Sequence, residues 1–227
     1  FYGTKKHLIL TEFLNDKEFI LLKCKKCKFI WQKFQPTNEL AIKLYDTIID
    51  DQASLKKSEN IYLKRKEKFK QEFDYIYKYF NFERINVLDF GAGWGSWLKS
   101  IDTNKVNSYA LEISISRKKY LISKKIKVLD LNQVKNHINY FNFIKLEQVL
   151  EHLTDLKSSM ELLKRIANKN SIIDVSVPND NKEINKSRNI KIEKGPIQPL
   201  EHVNCFTNRS LKKLFSNYGF KPLSTID

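Results

Sequence analysis

Three glycines at alternate positions, Gly91, Gly93 and Gly95, follow directly on the apolar run Ile85-Asn86-Val87-Leu88-Asp89-Phe90. A short continuous apolar run closed by a turn signal reads as a buried strand. Glycine at the end of such a strand allows a sharp turn through left-handed backbone and a close approach of backbone to a ligand. The spacing predicts a helix near Gly95–Ile101, whose free N–H groups and positive end would face that ligand. In open parallel sheets, ligands bind outside the carboxyl ends of the strands, where this loop sits. Two common ligands are excluded by spacing. A dinucleotide fingerprint needs Gly-x-Gly-x-x-Gly, but Ser96 follows Gly95. A nucleotide-triphosphate loop needs Gly-Lys-Ser/Thr, and no lysine follows these glycines.

The segments beyond the loop alternate. Strand patterns at Ser108–Ile113, Ile126–Leu129, Phe141–Ile144 and Ser171–Val177 are separated by helical ones near Ser116–Ser123, Leu131–His137 and Leu156–Ala167. A final helix is expected at Asn208–Asn217, with Thr207 as its cap. Gly219 reads as its left-handed terminator and Phe220 as the start of a last strand. Alternation of this kind implies a parallel sheet with helices on both faces. The expected class is α/β, Rossmann-like, over residues 85–227. Residues 179–200 are polar and punctuated by glycine and proline, and read as a long loop of the kind that forms lids.

At this point the sequence resembles the class I S-adenosylmethionine-dependent methyltransferases of the type-11, type-12 and type-23 kind. Their first motif is an acid in the first strand followed by Gly-x-Gly-x-Gly, and Asp89, Gly91, Gly93 and Gly95 match it position by position. The resemblance implies S-adenosylmethionine as cofactor. It also implies that Glu112, after the second strand, holds the cofactor ribose. An acid there can accept bonds from two ribose hydroxyls, by the logic of dinucleotide folds; otherwise Glu112 is a solvated strand-end glutamate. Asp130, after the third strand, would lie near the adenine, although another acidic or backbone group could serve there.

The stretch Glu147-Gln148-Val149-Leu150-Glu151-His152-Leu153 follows the fourth strand. In many such enzymes a similar stretch lies near cofactor and acceptor, which brings in Gln148 on the cofactor side and Glu151 and His152 on the acceptor side. Adjacent residues do not share a helix face, so one of Glu151 and His152 is expected to be structural. Histidine is the natural general base at neutral pH, and just as commonly a structural residue. The later run Glu201-His202-Val203-Asn204-Cys205-Phe206 resembles the closing part of methyltransferases associated with surface-glycan and small-metabolite modification, and His202 joins the acceptor-side candidates. The expected activity is O-methylation of a small molecule or sugar. An RNA or DNA acceptor and a non-catalytic binding protein are the alternatives.

The first 84 residues form an extension. Residues 1–35 carry short strand patterns around Cys24-Lys25-Lys26-Cys27, and residues 36–84 read as helical. Thr37 is a plausible cap for a helix through about Ile49. Phe69, Phe73, Ile76 and Phe80 line one face of a second helix over about 60–80. Cys-x-x-Cys is half of a structural zinc site, which takes four ligands. His7 and Cys205 are uncommon partners, and a metal-free knuckle held by Phe19, Ile30 and Trp31 is expected, with no metal in the site. Three cysteines make no disulfide framework, which favours a reducing, cytoplasmic setting. No stretch reaches the length a membrane helix needs. The net charge of +15 would suit an anionic partner, but the lysines are spread and interleaved with acids, as on solvated helix faces.

Overall fold

The computed structural model describes residues 20–43, 50–81, 83–102, 104–178 and 200–223. Residues 179–199 of the loop expected at 179–200, together with His7 and Phe19, lie outside these residues. The chain forms two compact units. One comprises residues 42–147 and 165–175, and the other residues 1–41, 148–164 and 176–227.

The first unit is built on helix α2 (Asp51–Tyr79) and a five-stranded sheet. The strands are β3 (Ile85–Phe90), β4 (Val106–Leu111), β5 (Lys127–Leu129), β6 (Phe141–Glu147) and β7 (Ala167–Ser176), in the order β5-β4-β3-β6-β7. β3 pairs in parallel with β4 and β6, and β4 with β5. This is the Rossmann-like α/β architecture expected from the alternation. α2 starts where Asp50 accepts the Ala53 N–H at 3.0 Å, nine residues before the expected start. Its Phe69, Phe73 and Ile76 are buried in one cluster with Ile85, Val87, Trp97, Leu98 and Phe143. Burial of such side chains contributes about 1.5–3 kcal/mol each, so this stripe rather than helix propensity holds a lysine-rich helix in place.

Helix α3 (Ile115–Ser123) follows β4, and α4 (Leu131–Lys135) follows β5. Two expectations are corrected in this unit. The segment after the glycine loop makes only a 3-10 turn at Leu98–Ser100, because Gly95 is still left-handed at φ 71° and too few residues remain before Asp102 for an α-helix. β4 ends at Leu111, because Glu112 folds back to accept the N–H groups of Ile113 and Ser114 at 2.8 and 2.9 Å.

The second unit joins the two ends of the chain. β1 (Leu21–Lys23) and β2 (Ile30–Gln32) form an antiparallel hairpin, and β8 (Asn204–Cys205) adds to β2 with Ile30 opposite Cys205. A short α1 (Asn38–Lys43) begins at Thr37, whose hydroxyl accepts the Leu40 N–H. α5 (Leu156–Ile166) starts in this unit, and α6 (Asn208–Asn217) is capped reciprocally by Thr207 and Ser210. The strand expected from Phe220 does not form over 220–223; Pro222 lacks the N–H a ladder needs.

Candidate functional site

The glycine loop and the two strand-end acids lie along one edge of the first unit. Parallel registers put Phe90 beside Leu111 and Leu111 beside Leu129, so the residues that follow, Gly91, Glu112 and Asp130, share that edge. Gly91, Gly93 and Gly95 all adopt positive φ. The Gly91 and Ala92 N–H groups donate to the Leu111 carbonyl, which folds the loop toward β4. Glu112 is buried, and its Oε2 accepts the Gly93 N–H at 2.7 Å. It is therefore not a solvated strand-end residue. Asp130 is exposed and caps α4 through a capping box with Gln133, a structural use of one of its oxygens.

Helix α2 also holds the loop, which the sequence reading missed. Ser54 accepts the Trp94 Nε1–H at 3.0 Å, and the Ser58 and Ser96 hydroxyls lie 2.7 Å apart. Trp94 packs edge-on against Tyr120 of α3 with Arg117 over its face. These serines face a loop far along the chain, so only the three-dimensional structure pairs them.

Asp89 sits behind the loop with Lys145 as its register partner on β6. Burial pushes the Asp89 carboxyl up to about 7, with Lys145 opposing the shift. Lys145 is itself buried and bonds Asp174 of β7 at 2.7 Å and Glu72 of α2. Burial works against its charge, but Asp174 and Glu72 outweigh it and hold its pKa above the usual lysine value. Glu147 bonds Arg65 of α2. A lysine inside the apolar run Phe143-Ile144-Lys145-Leu146 was the sequence signal for this network.

The acceptor-side candidates gather in the second unit. Gln148 is exposed and left-handed at φ 57°, and its N–H donates to the Ser176 carbonyl. A 3-10 turn over Leu150–His152 then carries Glu151 and His152. Glu151 is 1% exposed, and burial pushes its carboxyl up to about 7. His152 Nδ1 lies 3.0 Å from the Glu201 carbonyl oxygen, and His152 Nε2 lies 3.9 Å from Glu151 Oε1. The His152 and His202 rings meet edge to face at 4.7 Å. Glu151, His152 and His202 each offer a ligand atom within 4.8 Å of the others.

Two unexpected residues fix this arrangement. Asn204 is buried and donates to the carbonyls of Leu150 and Leu153, at 3.0 and 2.6 Å, on either side of the Glu-His pair. Gln32 Nε2 donates to the His202 carbonyl at 3.0 Å. The asparagine of the His-x-Asn spacing thus ties the two histidine-bearing segments together. Cys24 and Cys27 flank the turn between β1 and β2; a hydrogen bond from Cys27 lowers the Cys24 thiol. Among the described residues they and Cys205 do not gather into one ligand group.

A family model described as a methyltransferase domain matches residues 62–225. The chain belongs to that methyltransferase-domain family. Its fold is shared with a SAM-dependent methyltransferase from Archaeoglobus fulgidus, at 23% identity, 69% coverage of each chain and a TM-score of 0.52. A SAM-dependent methyltransferase from Thermotoga maritima is 16% identical over 61% of this chain and 65% of its own, with a TM-score of 0.49. No curated protein matches the chain. The enzyme is thus a SAM-dependent methyltransferase. The residues present fit that cofactor. A Cβ built on Gly93 meets nothing within 4 Å, so open space lies over the loop, next to the buried carboxylate of Glu112. No described helix is long and apolar enough to cross a membrane.

Proposed function

We propose that this methyltransferase acts on a hydroxyl of a small molecule or of a sugar or glycan intermediate. His152 carries the proposal. With Nδ1 against the Glu201 carbonyl, that nitrogen holds the proton, and Nε2 presents a lone pair beside Glu151. An oxygen acceptor must lose its proton as the methyl group arrives, and an imidazole in this tautomer is suited to take it. Glu151 and His202 complete the catalytic cluster.

S-adenosylmethionine supplies a methyl group already activated on a sulfonium centre. The protein's part is position. In this reading Gly91, Gly93 and Gly95 let the backbone approach the cofactor, with Asp89 behind them, and Glu112 accepts the ribose hydroxyls. Asp130 is assigned to the cofactor's adenine, and Gln148 to the cofactor. The low cysteine count supports a reducing, cytoplasmic setting. The net charge of +15 motivates a second reading, a nucleic-acid acceptor, whose binding would weaken steeply with salt.

The test has two stages. Calorimetric titration with S-adenosylmethionine and S-adenosylhomocysteine is expected to show micromolar-range binding. Glu112→Ala removes the ribose acceptor and Gly93→Asp fills the space over the loop, so both abolish it. Methyl-labelled cofactor is then offered with nucleotide-sugars, glycans and RNA. Label on a sugar or small-molecule oxygen, lost in His152→Ala, supports the reading. Label on nucleic acid, or on nitrogen or carbon, overturns the acceptor assignment.

A further inference from the structure

Lysines and acids are interleaved along the sequence of α2, but the helix sorts them onto different flanks. Residues three, four or seven apart on a helix fall into line. Lys57, Ile61, Lys64, Lys68, Tyr75 and Tyr79 follow one another at those spacings. They form one ridge, about 33 Å long at 1.5 Å per residue. All are exposed, Tyr75 by 52% and Tyr79 by 41%. The exposed acids Glu59, Glu67 and Asp74 fall on the other flank, with Lys56, Lys66 and Lys70. The acid that adjoins the ridge, Glu72, is bonded inward to Lys145. Among the described residues, the side chains of Lys57, Lys64, Lys68 and Tyr75 make no ion pair, hydrogen bond or ring contact. The ridge is therefore a run of one charge sign ending in two open aromatic rings.

We propose that this ridge binds single-stranded nucleic acid, with Lys57, Lys64 and Lys68 along the phosphates and Tyr75 and Tyr79 against the bases. A one-sign ridge on a chain of net charge +15 attracts a polyanion. Charge alone would serve a duplex, an acidic peptide or an anionic membrane equally well, and the tyrosines decide among them. Unpaired bases of any sequence stack on exposed aromatic faces beside a basic track. Duplex bases are already stacked on one another, and acidic side chains have no flat face to offer. A helix that enters a membrane surface needs a broad apolar face. The apolar face of α2, with Phe69, Phe73 and Ile76, lies in the core instead, and Ile61 is the one aliphatic side chain of the ridge.

The ridge and the glycine loop use different faces of the same helix. Ser54 and Ser58 reach the loop from the packed face, whereas the ridge lies on the exposed one. Nucleic acid held there is a docking partner, and its binding does not depend on which acceptor is methylated.

The probe is a fluorescein-labelled oligouridylate of about ten nucleotides, within the site sizes such surfaces take. It is titrated with the 227-residue chain and followed by fluorescence anisotropy. Oligothymidylate separates RNA from DNA as the source of the strand. A duplex of equal length, phosphatidylserine vesicles and polyglutamate present the other polyanions. Saturable binding that weakens with salt is expected. Lys57→Gln/Lys64→Gln/Lys68→Gln removes the phosphate contacts, and the slope of log K against log salt should flatten by about 2. Lys56→Gln/Lys66→Gln/Lys70→Gln has the same net charge and should change the slope little. Tyr75→Ala should weaken binding at least about fivefold with the slope unchanged. These side chains are exposed, so the variants should keep the wild-type circular dichroism and S-adenosylmethionine titration. No saturable binding, equal loss in the two triple variants, indifference to Tyr75→Ala, or tighter binding of duplex, vesicles or polyglutamate overturns the proposal. Methyl label on the bound oligonucleotide would count against the small-molecule acceptor alone, because binding at the ridge is read separately by anisotropy.

Discussion

Single residues at the loop carry stresses that experiments can read. Asp89 has its carboxyl pushed up to about 7 by burial, against an ordinary 3.8. The folded protein therefore keeps this proton through a pH range in which the unfolded chain releases it. Its contribution to stability is fully present below about pH 4 and is lost as pH rises through about 7. Asp89→Asn removes this dependence. The stability difference between variant and wild type should shift in favour of the variant from about pH 4 to 7 and level off above, by urea denaturation at several pH values. Gly95 is constrained differently. A Cβ there would lie 2.6 Å from Leu121 Cδ2 and 3.2 Å from Ile126 Cδ1, at φ 71°. Leu121 is fully buried and has nowhere to move. Gly95→Ala should cost roughly 1–2 kcal/mol in backbone strain and 1–3 kcal/mol in overpacking, seen as a lowered Tm. That contrast between Gly93, open above, and Gly95, closed in by α3, was not legible in the motif, which spells both as glycine. The motif gave the turn; the packing partner came from Leu121, a residue no local pattern connects to it.

Among the elements, α2 has a double attachment. Its C-terminal half inserts Phe69, Phe73 and Ile76 into the core, and this was readable from their three- and four-residue spacing. Its polar bonds were not readable. Ser54 and Ser58 reach the loop, and Arg65 and Glu72 reach β6, because such pairs depend on which strand the helix crosses. Lys145 is the hinge of that attachment. Lys145→Met keeps the apolar volume but leaves Glu72 and Asp174 facing each other without their cation. Loss of one partner from a buried pair costs about 3–5 kcal/mol. Asp174 is 42% exposed on its side chain, so solvent screening puts the expected loss near the low end of that range. Guanidinium denaturation checks it. The helix expected after Gly95 failed for a reason visible only in backbone geometry: left-handed glycines persisted to the point where helix would have to begin.

Taken as a whole chain, the sequence announced its parallel sheet far better than its second unit. Period and alternation are local signals, and β3 to β7 follow one another along the chain. The second unit draws on residues from both ends and the middle, and no window of sequence contains its contacts. Its key residue, Asn204, was visible only as one letter of a spacing. Asn204→Ala removes the side-chain donor shared by the Leu150 and Leu153 carbonyls and should lower stability by about 1–3 kcal/mol. Turnover should fall while S-adenosylmethionine affinity stays unchanged, which separates acceptor-side damage from cofactor-side damage in one pair of titrations.

The β2–β8 pairing also sets a schedule. The bond from Gln32 to the His202 carbonyl spans 170 positions, so the hairpin at 21–32 leaves the ribosome long before the strand that completes it exists. Contacts between such distant positions form late and slowly. Until then the hairpin waits with one strand edge unpaired, a template for pairing with other chains. The cluster of Glu151, His152 and His202 can be assembled only once that wait ends, so the proposed acceptor side becomes competent late in the life of a newborn molecule.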